Sequence, residues 1–258
     1  MCCCFVLEFL VSVLLHRDLS HTLFLRVLFT RSKTKVIIVS TSAPELAGHK
    51  TGLWLEECAA PYYKFKEAGC EVEIASPAGG PVPLDAGSLG EAFLTDSCKK
   101  FLFDPEAMGM LSHTTKLSAA DVSAADAIFF CGGHGTCVDF IDDASVKSAI
   151  ETLYGAGKVV AAVCHGPTCL PQCTKPGTDE PLVKDLVVTG FTDTEEEAVQ
   201  LTGKVPFLLE QKLKEQGGKF ERADDWNPKV CVDGKLITGQ NPQSSEACAE
   251  AVIKILSA

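Results

Sequence analysis

From Lys35 onward, short runs of aliphatic and β-branched residues alternate with segments whose apolar residues recur at helical spacing. A strand buried on both faces reads as an unbroken apolar run, and it reaches a parallel neighbour only through a long crossover. Val36-Ile37-Ile38-Val39 is such a run, closed by Ser40 and Thr41. Leu53 to Ala68 has helical spacing and stops at Gly69, with Pro61 predicting a kink or a late start. Further strands are expected at Glu71 to Ala75, Ala127 to Cys131, Lys158 to Val163, Leu186 to Val188 and Lys235 to Thr238. Helices are expected over Asp143 to Tyr154 (closed by Gly155), from about Glu195, over Pro206 to Gln216 and over Ser244 to Leu256. Ser76 to Leu89 reads as a loop rich in Pro and Gly. This alternation predicts one α/β domain over residues 34–258, a single doubly wound, mostly parallel sheet flanked by helices.

Composition removes several classes of function. The 23 Lys and Arg against 34 Asp and Glu give a net charge of −11, which excludes binding to nucleic acid through nonspecific phosphate contacts. No apolar run reaches the roughly 18 residues that a membrane span needs. Of 13 cysteines, Cys2, Cys3 and Cys4 crowd the N-terminus, and none of the rest forms a C-x-x-C pair. Most are expected to be reduced core residues in a cytosol-like compartment. Cys169 and Cys173 lack zinc-like spacing, so neither a metal site nor a cofactor is expected.

Residues Met1 to Lys33 differ from the rest of the chain. An apolar run from Phe5 to Leu15 is broken by Glu8, and a second lies around Phe24 to Phe29. The basic start and unbroken centre of a secretory signal are absent, while Arg17, Arg26, Arg31 and Lys33 supply a mild basic bias. The segment reads as an organelle-targeting extension, an added helix or a disordered extension. The expected location is the cytoplasm, or an organelle if the segment is a transit peptide.

In open α/β sheets, ligands bind beyond the carboxyl ends of the strands. Two unusual loops lie there, Gly132-Gly133-His134-Gly135-Thr136 and Cys164-His165-Gly166-Pro167. In the second, a buried strand runs directly into a turn and a helix, with Ala162 and Gly166 two residues either side of Cys164. Such an elbow needs small flanks, strains its central residue and presents that side chain at the sheet edge. A helix N-terminus would also favour the thiolate. The glycine loop lacks the lysine of a nucleotide-binding loop. Facing a thiolate, its better use is one arm of an oxyanion hole, the Gly133 amide beside that of His165.

Seven ordered motifs resemble the ThiJ/PfpI family of the class I glutamine-amidotransferase-like superfamily. They are Thr51–Glu57, Ala59–Tyr63, Ile74–Pro77, Gly132–Gly135, Ala161–Pro167, Thr189–Asp193 and Thr238–Pro242. The similarity runs from Lys35 to the C-terminus and is strongest to the branch of heat-shock chaperones with glyoxalase III activity. It implies a flavodoxin-like fold with a nucleophile elbow. It also implies Cys164 as nucleophile, His165 as catalytic histidine, Glu196 as its acid, and Glu57 as the carboxyl group beside the thiol. Glu195 and Glu197 flank Glu196 and leave the register open by one; taken alone, each glutamate reads as part of a solvated face. The implied reaction converts methylglyoxal, a small 2-oxoaldehyde, to lactate without glutathione, with His165 or Glu57 as the base. Protein deglycation is closely related chemistry. The resemblance further implies a homodimer. Alternatives on the same fold are a stress-response holdase or cysteine oxidation sensor without turnover, and an amidase or peptidase.

Overall fold

Residues 33–258 are described by the computed structural model of the chain. The N-terminal extension, apart from Lys33, lies outside them. The strands in chain order are β1 (Lys35–Val39), β2 (Glu45–Leu46), β3 (His49–Lys50), β4 (Glu71–Ser76), β5 (Thr115–Lys116) and β6 (Ala127–Phe130). There follow β7 (Val159–Val163), β8 (Val187–Val188), β9 (Lys219–Phe220), β10 (Val230–Asp233) and β11 (Leu236–Gly239). Seven of them form one sheet in the order β10-β11-β7-β6-β1-β4-β5. All its pairings are parallel except β10 with β11. Every residue of β6 and β7 is buried, so both faces of the sheet's centre are covered. Helices Glu56–Glu67 and Ser245–Leu256 pack on each other, while Ala144–Gly155 packs on β6 and β7. This is the doubly wound, mostly parallel architecture that the alternation implies.

Several boundaries differ from expectation. The first helix is Glu56–Glu67, because Leu53 is held in extended pairing: its N–H donates to Pro83 O at 2.8 Å and its carbonyl accepts from Asp85 N at 2.9 Å. Pro61 lies inside that helix and has no N–H for Glu57 O, which instead accepts the Cys131 thiol at 3.0 Å. Gly155 does not close its helix; Gly157 takes the left-handed turn at φ +70°. The helix expected from Pro206 starts only at Leu209, after an extended Leu208.

The strand expected at Leu186–Val188 is not part of the central sheet. Its Val187–Val188 core, β8, pairs with β9. Side chains tie it to the large sheet, since Val187 N donates to Asp233 Oδ2 and Thr189 N to Thr238 Oγ1, each at 2.8 Å. Strand β10 is an addition to the expected set, although Asp233-Gly234 at its end is a hairpin signal and Gly234 has φ +59°. Helices Asp96–Phe103 and Pro105–Ser112, capped by Thr95 and Asp104, are further additions. All ten cysteines of the described residues are free thiols and nine are buried, so burial alone does not distinguish Cys164. Among the described residues no helix is long and apolar enough to cross a membrane.

Candidate active site

Cys164 follows β7 and turns the chain. Its φ of +58° lies in the left-handed region, a conformation costing about 1–3 kcal/mol for a residue with a side chain. Two backbone hydrogen bonds hold it there: its N–H donates to Gly239 O and its carbonyl accepts from Phe191 N, both at 2.9 Å. A Cβ on Gly166 would run into the Phe130 carbonyl, so strand and turn approach as closely as the small flanks require. One expectation needs correction. The element after the elbow is a 3-10 helix, Gly166–Gln172, interrupted by Pro171, and it lacks the aligned α-helical turns on which the argument for dipole-favoured thiolate rested. Instead, burial and then the Glu57 carboxyl push the Cys164 thiol well above the usual cysteine range, with only the Gly133 N–H working against them.

Glu57 comes from the first turn of its helix and is wholly buried. Its Oε2 accepts from Gly132 N at 2.6 Å, its Oε1 is buried without a hydrogen-bond partner, and the carboxyl group lies near enough to the Cys164 thiol for each to shift the other's ionisation. Gly132 must be glycine, because a Cβ would lie 2.6 Å from His165 N and 2.7 Å from Glu57 Oε2. Burial raises the Glu57 pKa to about 8, so near neutrality it is a carboxylic acid. In that form it carries no charge to oppose a thiolate, and its O–H can be donated to the sulfur. Glu56 serves elsewhere, bonded to Thr95 Oγ1 and to Cys98 Sγ.

His165 lies between Cys164 and Glu196. Its Nδ1 is 3.5 Å from Cys164 Sγ and its Nε2 is 2.7 Å from Glu196 Oε2. The other carboxylate oxygen, Oε1, is 2.9 Å from Nε2 of His134, whose ring lies against that of His165 with centroids 4.0 Å apart. Burial alone would raise the Glu196 pKa, but the charge that His165 takes up on protonation and hydrogen bonds from both histidines bring it down to about 2. Burial, and then the neighbouring His134, push the His165 imidazole below its usual range. Near neutrality the carboxylate therefore accepts N–H from Nε2 of His165, and that ring's Nδ1 is left as an acceptor toward the thiol.

The acidic run is sorted by a helix cap. Thr192 caps Asp193–Ala198 and Glu195 completes the capping box, which turns the next residue, Glu196, toward the histidines. Glu197 is exposed. Glu195 is not on a solvated face as expected but fully buried. It accepts from Thr192 N (3.0 Å), Thr192 Oγ1 (2.9 Å), Trp226 N (2.9 Å), Gln240 Nε2 (3.1 Å) and Asn241 Nδ2 (2.9 Å). Sequence reasoning assigned no role to His134, and Glu195 entered only as an alternative register for the acid. The T-x-x-E spacing of Thr192 and Glu195 was the available signal for the second; for His134 there was only its position in the glycine loop.

Glu195→Gln should cost about 2–3 kcal/mol in denaturant unfolding, because the amide nitrogen would confront donors that the carboxylate accepts. Glu197→Gln should stay within about 0.5 kcal/mol. Equal, small effects would contradict the role given to Glu195.

Cys164, His165, His134 and Gly133 open onto a cavity of about 170 Å³, walled by Trp54, Phe93, Phe191 and Trp226. Among the described residues, the amides of Gly133 and His165 donate to no backbone carbonyl. A thiol with an adjacent base, a buried neutral acid and amides not committed to backbone carbonyls can add to a carbonyl and hold the oxyanion that forms.

A profile of the DJ-1/PfpI family matches residues 50–255. The chain belongs to this family. Glyoxalase 3 of Candida albicans is 34% identical over 230 residues, covering 85% of this chain and 97% of the relative. The glutathione-independent glyoxalase of Saccharomyces cerevisiae is 31% identical over 236 residues, covering 86% of this chain and 98% of the relative. The crystal structure of glyoxalase III from Candida albicans superposes with a TM-score of 0.80 at 32% identity, covering 86% of this chain and 96% of that one. The similarity to these family members thus extends over nearly their whole lengths.

Proposed function

We propose that this chain is a glutathione-independent glyoxalase that converts a small 2-oxoaldehyde, methylglyoxal in the simplest case, to the 2-hydroxy acid. The observation that carries the reading is the contact of Cys164 with His165, with the buried Glu57 carboxyl close by, beside a cavity sized for a few heavy atoms. A glyoxalase needs a thiol to capture the aldehyde as a hemithioacetal, and Cys164 supplies it in place of a free thiol cofactor.

The thiol proton passes to His165 Nδ1 and the sulfur attacks the aldehyde carbon. Amides of Gly133 and His165 stabilise the oxyanion, which is reprotonated to the hemithioacetal. Neutral Glu57 donates to the sulfur. His165 then removes the proton from the former aldehyde carbon, the hemithioacetal hydroxyl passes its proton to the neighbouring carbonyl oxygen through the enediol, and His165 returns the first proton to that neighbouring carbon. The resulting 2-hydroxy thioester is hydrolysed by one water, releasing the acid and the thiol. Glu196 stays ionised and supports the imidazolium that forms twice in the cycle. Assembly as a homodimer and a cytoplasmic location accompany this reading; sedimentation and a fluorescent fusion test them.

Multiple turnover separates the enzyme from a holdase or sensor. Purified protein with no added thiol should consume far more aldehyde than it has cysteine, lysine and arginine side chains to be modified. Consumption that stops at that stoichiometry would instead indicate scavenging.

The pH profile of kcat/KM should be bell-shaped. On the acid side activity falls as His165 is protonated, with a midpoint below the usual histidine value because its pKa is lowered. On the alkaline side it falls around pH 8 as Glu57 loses the proton that it offers the sulfur. Activity still rising above pH 9 would contradict the role of neutral Glu57.

A further inference from the structure

The two histidines invite a second reading of the same floor. One ring nitrogen of His134, one of His165 and a carboxylate oxygen of Glu196 all lie within 4.8 Å of one another, and it is Nε2 of each histidine that meets Glu196. All three residues are buried, exposed by 8%, 1% and 3%, and both histidines border the cavity. Two imidazoles and one carboxylate gathered at the edge of a cavity that both histidines border form a set that suits zinc and related divalent transition ions. The donor atoms now sit at hydrogen-bond separations of 2.9 Å and 2.7 Å. Tetrahedral coordination at about 2.0–2.1 Å would spread them by only about half an ångström.

We infer that His134, His165 and Glu196 form an inhibitory binding site for a divalent transition-metal ion of the zinc type. That the site binds the ion does not depend on the glyoxalase reading, whereas its inhibitory effect rests on that reading. Binding replaces the two hydrogen bonds to Glu196. The protons that the Nε2 atoms share with Glu196 move to the Nδ1 atoms, and the metal takes the Nε2 lone pairs. Nδ1 of His165, the atom 3.5 Å from Cys164 Sγ, then carries hydrogen and cannot accept the thiol proton. The ion is thus an off-switch for the base and not a participant in turnover. Cys164 meets the opposite side of the imidazole from the metal, so the coordination sphere contains no sulfur from it.

Cobalt(II) is the probe, added to full-length Cys164→Ser protein so that the reactive thiol does not compete. One ion per chain is expected, with visible d–d bands and no thiolate-to-cobalt charge transfer. His134→Asn and Glu196→Gln in the same background should each weaken uptake by more than roughly 100-fold, since even an outer-shell partner is worth 10–100-fold. Circular dichroism checks that each variant is folded, and the Cys164→Ser spectrum decides by itself if one is not. Absence of uptake, bands dominated by thiolate charge transfer, or bands that survive both substitutions would overturn the site. None of these readouts depends on turnover, so a failed glyoxalase assay leaves the metal result standing and the reverse.

Discussion

Cys164→Ala protein should fold and be inert toward 2-oxoaldehydes. The substitution removes only the sulfur, and the alanine methyl remains within a backbone held by Gly239 and Phe191. The loss is a small buried atom, costing about 1 kcal/mol by cavity formation at most, and the strained φ is as acceptable to alanine as to cysteine. The chemical consequence is much larger. Without the sulfur there is no hemithioacetal, and no other described cysteine lines this cavity. Turnover should fall to the rate of buffer, while the melting temperature stays within a few degrees of wild type. Residual catalysis above buffer would assign the thiol chemistry to another group.

Glu196→Gln should come close behind. The carboxylate orients two imidazoles at 2.7 Å and 2.9 Å and stabilises the imidazolium that forms on His165. An amide keeps the shape but loses the charge, and its NH₂ opposes one of the two N–H donors. Removing the orienting charge in comparable acid–base triads costs up to roughly 10⁴ in rate. The loss should appear in kcat, because the ion pair is made during the chemical step. Labelling of Cys164 by an alkylating reagent should still proceed. If kcat falls less than about tenfold, His165 needs no anionic partner.

Glu196 also contributes to stability, with a sign that can be tested. Its folded pKa of about 2 lies below its ordinary value of 4.5, so its stabilisation is complete above pH 4.5 and is lost as pH falls toward 2. Glu57 runs the other way. Its pKa of about 8 exceeds the ordinary value, so it costs stability increasingly as pH rises from 4.5 to 8. Glu57→Gln should therefore lessen the loss of melting temperature between pH 4.5 and 8, and an unchanged slope over that window would contradict a buried neutral carboxyl.

The parts of this structure that could be read from sequence are those whose constraints are local. Apolar runs at β1, β6 and β7 specify buried parallel strands, and Ala162, Cys164 and Gly166 specify an elbow because strand and turn must nearly touch. Contacts between distant segments were less legible. Nothing near Cys164 announces that Glu57 arrives from another helix and that shared burial raises both groups. His134 has no periodicity to betray it; its role depends on Glu196 having a second oxygen to offer. Glu195 resembled its acidic neighbours until the capping box separated it from them. Edge strand β10 and helix boundaries at Leu53 and Gly155 went astray where pairing or a later glycine overrode propensity.

The central claim is that Cys164 carries a glutathione-free conversion of a 2-oxoaldehyde to its hydroxy acid. Its most direct test is to incubate dialysed wild-type and Cys164→Ala proteins with methylglyoxal, without added thiol, and to quantify the product by NMR. Wild-type protein should form lactate in amounts matching the methylglyoxal lost, and Cys164→Ala protein should form none above buffer. Equal lactate from both, or methylglyoxal loss without lactate, would contradict the account.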